Sequence, residues 1–151
     1  MKQWRRDRIV LGLGFLVFTV MFGCQGNGAR TDGEGSQSLV GPLWMLLEIE
    51  GKPLIEQSAI TIEFAEDGQV SGSAGINRYF GLAARDEARE LIFSQMGSTR
   101  MAGPPELMAQ ESTYLRLLQE VTSYDFAEGE LQLRRGGSVV LRYRAAQRAA
   151  E

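Results

Sequence analysis

The sequence predicts a mainly β protein, a small antiparallel β-barrel of short strands with one inserted α-helix at about residues 105–121. Short segments that alternate apolar and polar residues recur between residues 43 and 144, and glycine-containing turns separate them. One longer segment has helical spacing of its apolar residues. Short antiparallel strands at regular spacing are typical of a closed or partly open barrel. We expect the helix to plug one end of the barrel or to cover an open edge.

Residues 1–23 have the pattern of a lipoprotein signal peptide. A basic start, residues 1–8, precedes an uncharged apolar run of the length that secretory signals use, about 7–15 residues, whereas a membrane-spanning helix needs about 20. The run ends in Met21-Phe22-Gly23-Cys24, which resembles the lipobox of bacterial lipoproteins. Cys24 is the only cysteine, so we expect it to carry the lipid, including palmitate. An uncleaved signal anchor is the alternative.

The residues after Cys24 predict where the protein is held. Two or three acyl chains anchor a protein to a membrane far more firmly than one chain does. Gln25 follows the cysteine, and in the bacterial sorting pattern this favours the outer membrane over retention at the inner membrane. We therefore expect a lipid-anchored protein of the bacterial cell envelope, on the periplasmic face of the outer membrane.

The remaining chain divides into three segments. Residues 24–40 are rich in glycine and serine, lack apolar periodicity and predict a flexible tether. Residues 41–144 are long enough for a single modest core. Residues 145–151 form a C-terminal tail with no clear packing partner.

The strands of the domain are predicted from alternation and from turn residues. Residues 59–64 alternate cleanly, and the Asp67-Gly68 turn that follows is typical of a hairpin. We expect a loop over residues 94–105 and three closing strands after the helix. The expected strands are 43–51, 59–64, 69–75, the residues after Arg78, 90–93, 123–126, 130–134 and 138–144.

The helix begins after Pro104-Pro105, a favourable start, with Glu106 in its first turn. Its buried face is predicted to comprise Leu107, Tyr114, Leu118 and Val121, with Met108 and Leu115 beside them. Glu111 lies on or next to that face, where an acid must be paired or pay a desolvation cost of several kcal/mol. Arg78, Arg100 or the amide of Asn77 could pair with it. Glu111 is therefore predicted to belong either to a structural polar cluster or to a ligand site.

Composition excludes several classes of function. The chain has no histidine and a single cysteine, which excludes Ser-His-Asp and Cys-His catalysis and His- or thiolate-ligated metal sites. Most acids lie in turns, so we expect neither catalytic residues nor a cofactor. The net charge of −3 makes a poor nucleic-acid binder.

The segment VSGSAGINRYFG, residues 70–81, is the most unusual one in the domain. It has no lysine after its glycines, as a phosphate-binding P-loop requires, and its spacing does not fit a dinucleotide fingerprint. Glycine within a strand more often marks a bulge, a barrel corner or a close approach of two backbones.

Three motifs together resemble the META-domain family of HslJ-like bacterial lipoproteins. They are G-x-A-G-x-N-R-Y-F-G from Gly72 to Gly81, S-T-R-M-A from Ser98 to Ala102, and M-x-x-E-x-x-Y-L-x-x-L from Met108 to Leu118. The resemblance implies a lipocalin-like barrel with one helix, an envelope location associated with heat or envelope stress, and no established catalytic residues. The structural motif residues that we carry over are Gly72, Gly75, Asn77, Arg78, Thr99, Arg100 and Glu111.

The chain departs from the family at one pair of positions. Many members have cysteine in both motifs, and the resemblance implies a disulfide between them. Ile76 and Gly103 occupy those positions here. A missing crosslink can cost up to roughly 2–4 kcal/mol of stability unless packing around Ile76 offsets it.

These observations predict a non-enzymatic, lipid-anchored and monomeric binding or stabilising module related to stress. Its partners would be the membrane, through Cys24, and an envelope protein. The alternative is a carrier of a small apolar ligand, which the lipocalin-like architecture favours.

Overall fold

In a computed structural model, residues 37–146 are described, and they form one antiparallel sheet of nine strands and one helix. The elements in chain order are β1 (Leu43–Ile49), β2 (Lys52–Pro53), β3 (Thr61–Phe64), β4 (Gln69–Ser73), β5 (Arg78–Arg85), β6 (Leu91–Ser98), α1 (Pro105–Glu120), β7 (Ser123–Ala127), β8 (Glu130–Arg135) and β9 (Ser138–Ala145).

Several predictions fall on residues that lie outside this range. They are the signal peptide, Cys24, the tether up to residue 36 and the tail beyond residue 146. Within the described range, no helix is both long enough and apolar enough to span a bilayer.

The sheet curls so that its two outer strands meet at one end. The strand order is β6-β5-β4-β3-β1-β9-β8-β7, with β2 paired to β1. The N–H of Leu91 donates to the carbonyl of Thr122 (3.1 Å), and the N–H of Tyr124 donates to the carbonyl of Arg89 (3.0 Å). The predicted mainly β, antiparallel, lipocalin-like barrel with one helix is therefore confirmed.

Alternation and turn chemistry place the strands as expected around β3. Ile62 and Phe64 are buried, while Glu63 between them is exposed. At the following turn Gly68 has a φ of +84°, a conformation that glycine adopts without strain. The N–H of Gln69 donates to Asp67 Oδ1 (3.0 Å), which completes the predicted hairpin turn.

The predicted loop over residues 94–105 is wrong in its first part. β6 continues to Ser98, and its C-terminal half pairs with β5 through Phe80 and Gly97. A register shift lies between these pairs and the pairs nearer Leu91, and Gln95 there has a φ of +52°. A bulge inserts one extra residue and breaks the period-2 pattern. The small and polar residues of this half therefore gave no strand signal.

The helix begins at Pro105, directly after Pro104, as predicted. It connects the two outer strands, and its side chains enter the barrel. Tyr114, Leu117 and Leu118 have no exposed surface. Leu107 is only half-buried, and Leu117, which the predicted face omitted, lies in the core instead.

Among the described residues, the buried hydrophobic core extends from Leu39 to Tyr143. Leu39 is buried, and its carbonyl accepts a hydrogen bond from Trp44 Nε1 (3.0 Å). Leu39 belongs to the segment predicted as tether, so the packed domain begins before residue 41. At the other end, the N–H of Ala146 donates to the carbonyl of Leu43 (2.7 Å).

Candidate functional site

The family-like motifs converge at the turn between β4 and β5. The N–H of Ala74 donates to the carbonyl of Asn77 (2.7 Å) and closes this turn. Gly75 within it has a φ of +117°, which an L side chain rarely adopts. The turn therefore directs Asn77 inward, where it is 1% exposed.

The Asn77 side chain joins three separate segments of the chain. Its Oδ1 accepts from Thr99 Oγ1 (2.8 Å) and from the N–H of Met101 (2.7 Å). Its Nδ2 donates to Glu111 Oε1 (2.7 Å) and to the carbonyl of Met101 (3.3 Å). An asparagine amide offers two donors and two acceptor positions, and all four are used.

Glu111 projects from α1 into the same cluster and is 5% exposed. Its Oε2 accepts from the N–H groups of Asn77 (2.8 Å) and Ile76 (3.2 Å), in addition to the bond at Oε1. Three N–H donors thus compensate a buried carboxylate, and hydrogen bonds to an ionised group are stronger than those between neutral groups. Of the three partners that the sequence allowed, Asn77 is the one in place.

The two candidate arginines lie outside this cluster. Arg78 and Arg100 are exposed, and among the described residues neither forms an ion pair. Arg78 contributes its backbone instead. Its N–H donates to Thr99 Oγ1 (3.2 Å), and its carbonyl accepts from the N–H of Thr99 (3.0 Å).

Gly72 permits a close approach between β3 and β4. A Cβ at this position would collide with the carbonyl of Thr61. That carbonyl accepts a hydrogen bond from the Tyr79 hydroxyl (2.9 Å). The absence of a side chain at Gly72 therefore gives Tyr79 its buried acceptor.

A second buried network joins three tyrosines. The hydroxyl of Tyr143 donates to that of Tyr114 (3.2 Å), and the hydroxyls of Tyr114 and Tyr79 lie 2.7 Å apart. Burial raises the pKa of each of the three hydroxyls well above the usual value, and charge repulsion from a neighbouring tyrosine adds to each shift. This tyrosine chain is neutral at physiological pH and connects α1 to β5 and β9.

Ile76 and Gly103, the positions at which the family resemblance implies cysteines, are adjacent in space. A Cβ built on Gly103 would lie 2.7 Å from Ile76 Cδ1 and 2.9 Å from Cγ1. The isoleucine side chain therefore occupies the space directly over the glycine.

These contacts give the cluster a structural role. Glu111 and Asn77 form hydrogen bonds to main-chain groups and to each other, and the Thr99 hydroxyl donates to Asn77. In the described residues there is no group of three or more His, Cys, Asp or Glu side chains that could hold a metal. Tyr79 belongs to the first family-like motif but was not carried over as a site residue. Sequence reasoning did not single out Tyr143, although the alternation of the final strand places it on the inward face.

Comparison with known proteins points to one family. Residues 37–147 match the family model of the META domain. No curated protein matches the chain.

Solved structures that resemble the chain include an NMR structure of a protein from Burkholderia xenovorans, with 25% identity, a TM-score of 0.58 and coverage of 73% of this chain and 85% of that one. A second NMR structure has 25% identity, a TM-score of 0.55 and coverage of 69% and 88%. A crystal structure of a DUF4847 family protein from Bacteroides vulgatus ATCC 8482 shares the fold, at 14% identity, a TM-score of 0.54 and coverage of 73% and 96%. Because the family model covers most of the chain, this protein belongs to the META-domain family.

Proposed function

We propose that this protein is a lipid-anchored META-domain module of the bacterial cell envelope that binds or stabilises a partner and performs no catalysis. The observation that carries the proposal is the use of the motif residues. Asn77, Thr99 and Glu111 bond to one another and to main chain, so they hold the barrel in one shape. What remains for contact with other molecules is the outer surface.

The filled interior supports a surface-binding module over an apolar-ligand carrier. Side chains of β3, β8, β9 and α1 meet inside the barrel without exposed area, among them Ile62, Leu131, Leu141 and Leu118. A lipocalin-type carrier needs an interior that holds a ligand. Here the helix contributes part of the filling, since Tyr114 and Leu117 are also fully buried.

The membrane anchor is tested by signal processing. In the native host, globomycin, which blocks the lipoprotein signal peptidase, is expected to make the unprocessed precursor accumulate. Replacement of Cys24 by serine should give the same unprocessed precursor without globomycin, because the lipid is attached to the cysteine. Unchanged migration with globomycin would refute the anchor, and an uncleaved signal anchor would then explain any membrane retention.

The binding role is tested by crosslinking in the membrane. The surface formed by residues 70–103 is tested with a photo-crosslinking residue at Phe80, which is 61% exposed. This residue should give one discrete adduct with a partner protein. The matched control is the same residue at Gln119, an exposed position on α1. A specific partner at this surface would be contradicted if neither position gave a discrete adduct, or if both positions gave the same adducts.

The stress role is tested by deletion. Cells that lack the protein should grow normally under ordinary conditions and poorly under heat or envelope stress, and the intact chain should restore growth. Equal growth of deleted and complemented cells under both stresses would remove stress from the proposal.

A further inference from the structure

The outer face of the sheet carries an open cleft of about 320 Å³ across β1, β3, β4 and β5. It lies over the most unusual part of the sequence, the glycine- and serine-rich β4. Side chains that line it include Leu43, Thr61, Glu63, Ser71, Ser73 and Arg78.

The strand register places an acid and a base on opposite sides of this cleft. Glu63 on β3 is paired with Ser71 on β4, and Arg78 on β5 is paired with Ser73. Adjacent strands lie about 4.8 Å apart, so Glu63 and Arg78 are separated by about 10 Å across the strands. They are also offset by one side-chain repeat along the strands.

The floor between the two charges is shallow and polar. Ser71 and Ser73 have short side chains, and Gly72 between them has none. Thr61 Oγ1 accepts from the N–H of Ser73 (3.1 Å), and Ser73 Oγ accepts from the N–H of Gly75 (3.3 Å). Both hydroxyls use acceptor positions in these bonds, which leaves their protons to donate to a ligand.

The charges of the cleft contrast with those elsewhere on the barrel. Across β1, β9 and β8, Arg142 lies between Glu48 (3.2 Å) and Glu130 (3.0 Å). Glu63 and Arg78, by comparison, are exposed and form no ion pair within residues 37–146. The cleft thus keeps an acid and a base apart, with open space between them.

We propose that this cleft binds a short zwitterionic peptide, with the free amino group at Glu63 and the free carboxylate at Arg78. A guanidinium matches a carboxylate with two parallel hydrogen bonds. With the offset of about 7 Å along the strands, the Cα atoms of Glu63 and Arg78 lie about 12 Å apart. An extended tripeptide spans at most about 10 Å, so the two long side chains must cover the remaining distance. The serine and threonine hydroxyls supply donors for its carbonyls. This proposal rests on the binding role above and names one class of ligand for it.

The test is an NMR titration of the chain from residue 25 onward, which retains all the described residues, 37–146. The probe is tri-alanine, compared with its N-acetylated and C-amidated forms. We expect shifts of the backbone amides of Ser71, Ser73 and Arg78 and a Kd of about 1 mM, as for a ligand held by a few exposed contacts. Each cap should weaken binding about fivefold, because each removes one exposed ion pair.

Two variants assign the two ends of the peptide. With Arg78→Gln, amidation of the carboxylate should no longer matter, while acetylation of the amine should still weaken binding. With Glu63→Gln, acetylation of the amine should no longer matter, while amidation of the carboxylate should still weaken binding. Arg100→Gln is the matched control, because Arg100 is exposed and does not line the cleft. It should bind like the unmodified chain.

Three results would overturn the proposal: no shifts at about 20 mM tri-alanine, equal binding of free and capped peptides, or variants that keep both sensitivities. These results are distinguishable from failure of the proposed function. If the Phe80 crosslink persists without peptide binding, the partner role stands and the cleft assignment falls. Peptide binding that meets the expected pattern without any crosslink supports the cleft and removes the protein partner.

Discussion

Two buried networks connect the helix to the barrel, and they do so by different physics. The cluster around Asn77 contains an ionised acceptor, Glu111, and bonds largely to main chain. The tyrosine chain of Tyr143, Tyr114 and Tyr79 is neutral and joins side chain to side chain until it reaches the Thr61 carbonyl. Loss of one member of the first network leaves the buried Glu111 carboxylate with too few hydrogen-bond donors. Loss of one member of the second network leaves only a neutral hydroxyl without a partner. The first network should therefore contribute more to stability.

The largest effect is expected for Asn77→Ala. The change removes a donor to Glu111 and the partners of Thr99 and Met101, and each buried group left unpaired costs about 1–3 kcal/mol. We expect a loss of about 4 kcal/mol or more in the free energy of unfolding, measured by urea denaturation. Arg100→Ala, at an exposed position, should stay within about 0.5 kcal/mol. A loss below about 1 kcal/mol for Asn77→Ala would reverse the comparison.

Alkaline pH should break the tyrosine chain selectively. Burial holds the pKa of Tyr79, Tyr114 and Tyr143 well above the unfolded value of about 10. Above that pH the unfolded chain binds fewer protons than the folded one, so stability is complete below pH 10 and falls as pH rises toward the folded pKa values. Three tyrosines give a limiting slope of about 4 kcal/mol per pH unit. Tyr143→Phe should reduce this pH slope by about a third, when the free energy of unfolding is measured by urea denaturation at a series of pH values. An unchanged pH slope would contradict the assignment.

A disulfide at Ile76 and Gly103 would sharpen the comparison, because it would fix the turn that carries Asn77. The double variant Ile76→Cys/Gly103→Cys should form the bond, since the two side chains are adjacent. Closure of this loop is expected to stabilise the oxidised form over the reduced form by about 3 kcal/mol. The measurement is the difference in Tm with and without reductant, and no difference in a fully oxidised sample would contradict the predicted geometry.

The smallest effect is expected for Tyr143→Phe at neutral pH. Tyr143 donates one neutral hydrogen bond, and Tyr114 keeps its bond to Tyr79. The loss should be about 1 kcal/mol in urea denaturation. A loss as large as that for Asn77→Ala would show that the neutral network is equally important.

The sequence predicted those parts of the fold in which local patterns agree with burial. Ile62 and Phe64 alternate with Glu63, and the prolines at 104 and 105 mark the start of the helix, so these elements were predicted at nearly their observed positions. The bulged half of β6 was missed, because an inserted residue at Gln95 interrupts the alternation.

The candidate site was predictable only in part, for a related reason. A charged residue on a helical face requires a partner, and this singled out Glu111. The residues that surround it come together only in the folded chain, since Asn77 and Met101 are 24 positions apart. Tyr79 gave no signal of its own, because its acceptor depends on the missing side chain of Gly72 on another strand.

Ile76 over Gly103 has a consequence for how this protein matures. No cysteine lies within the packed domain, so its folding requires no thiol oxidation and no disulfide isomerase. The barrel should reach the same state in a reducing cytoplasm as in an oxidising periplasm. The export that the proposed function requires would then have to outpace folding, because nothing in the redox chemistry of the cytoplasm delays formation of the native barrel.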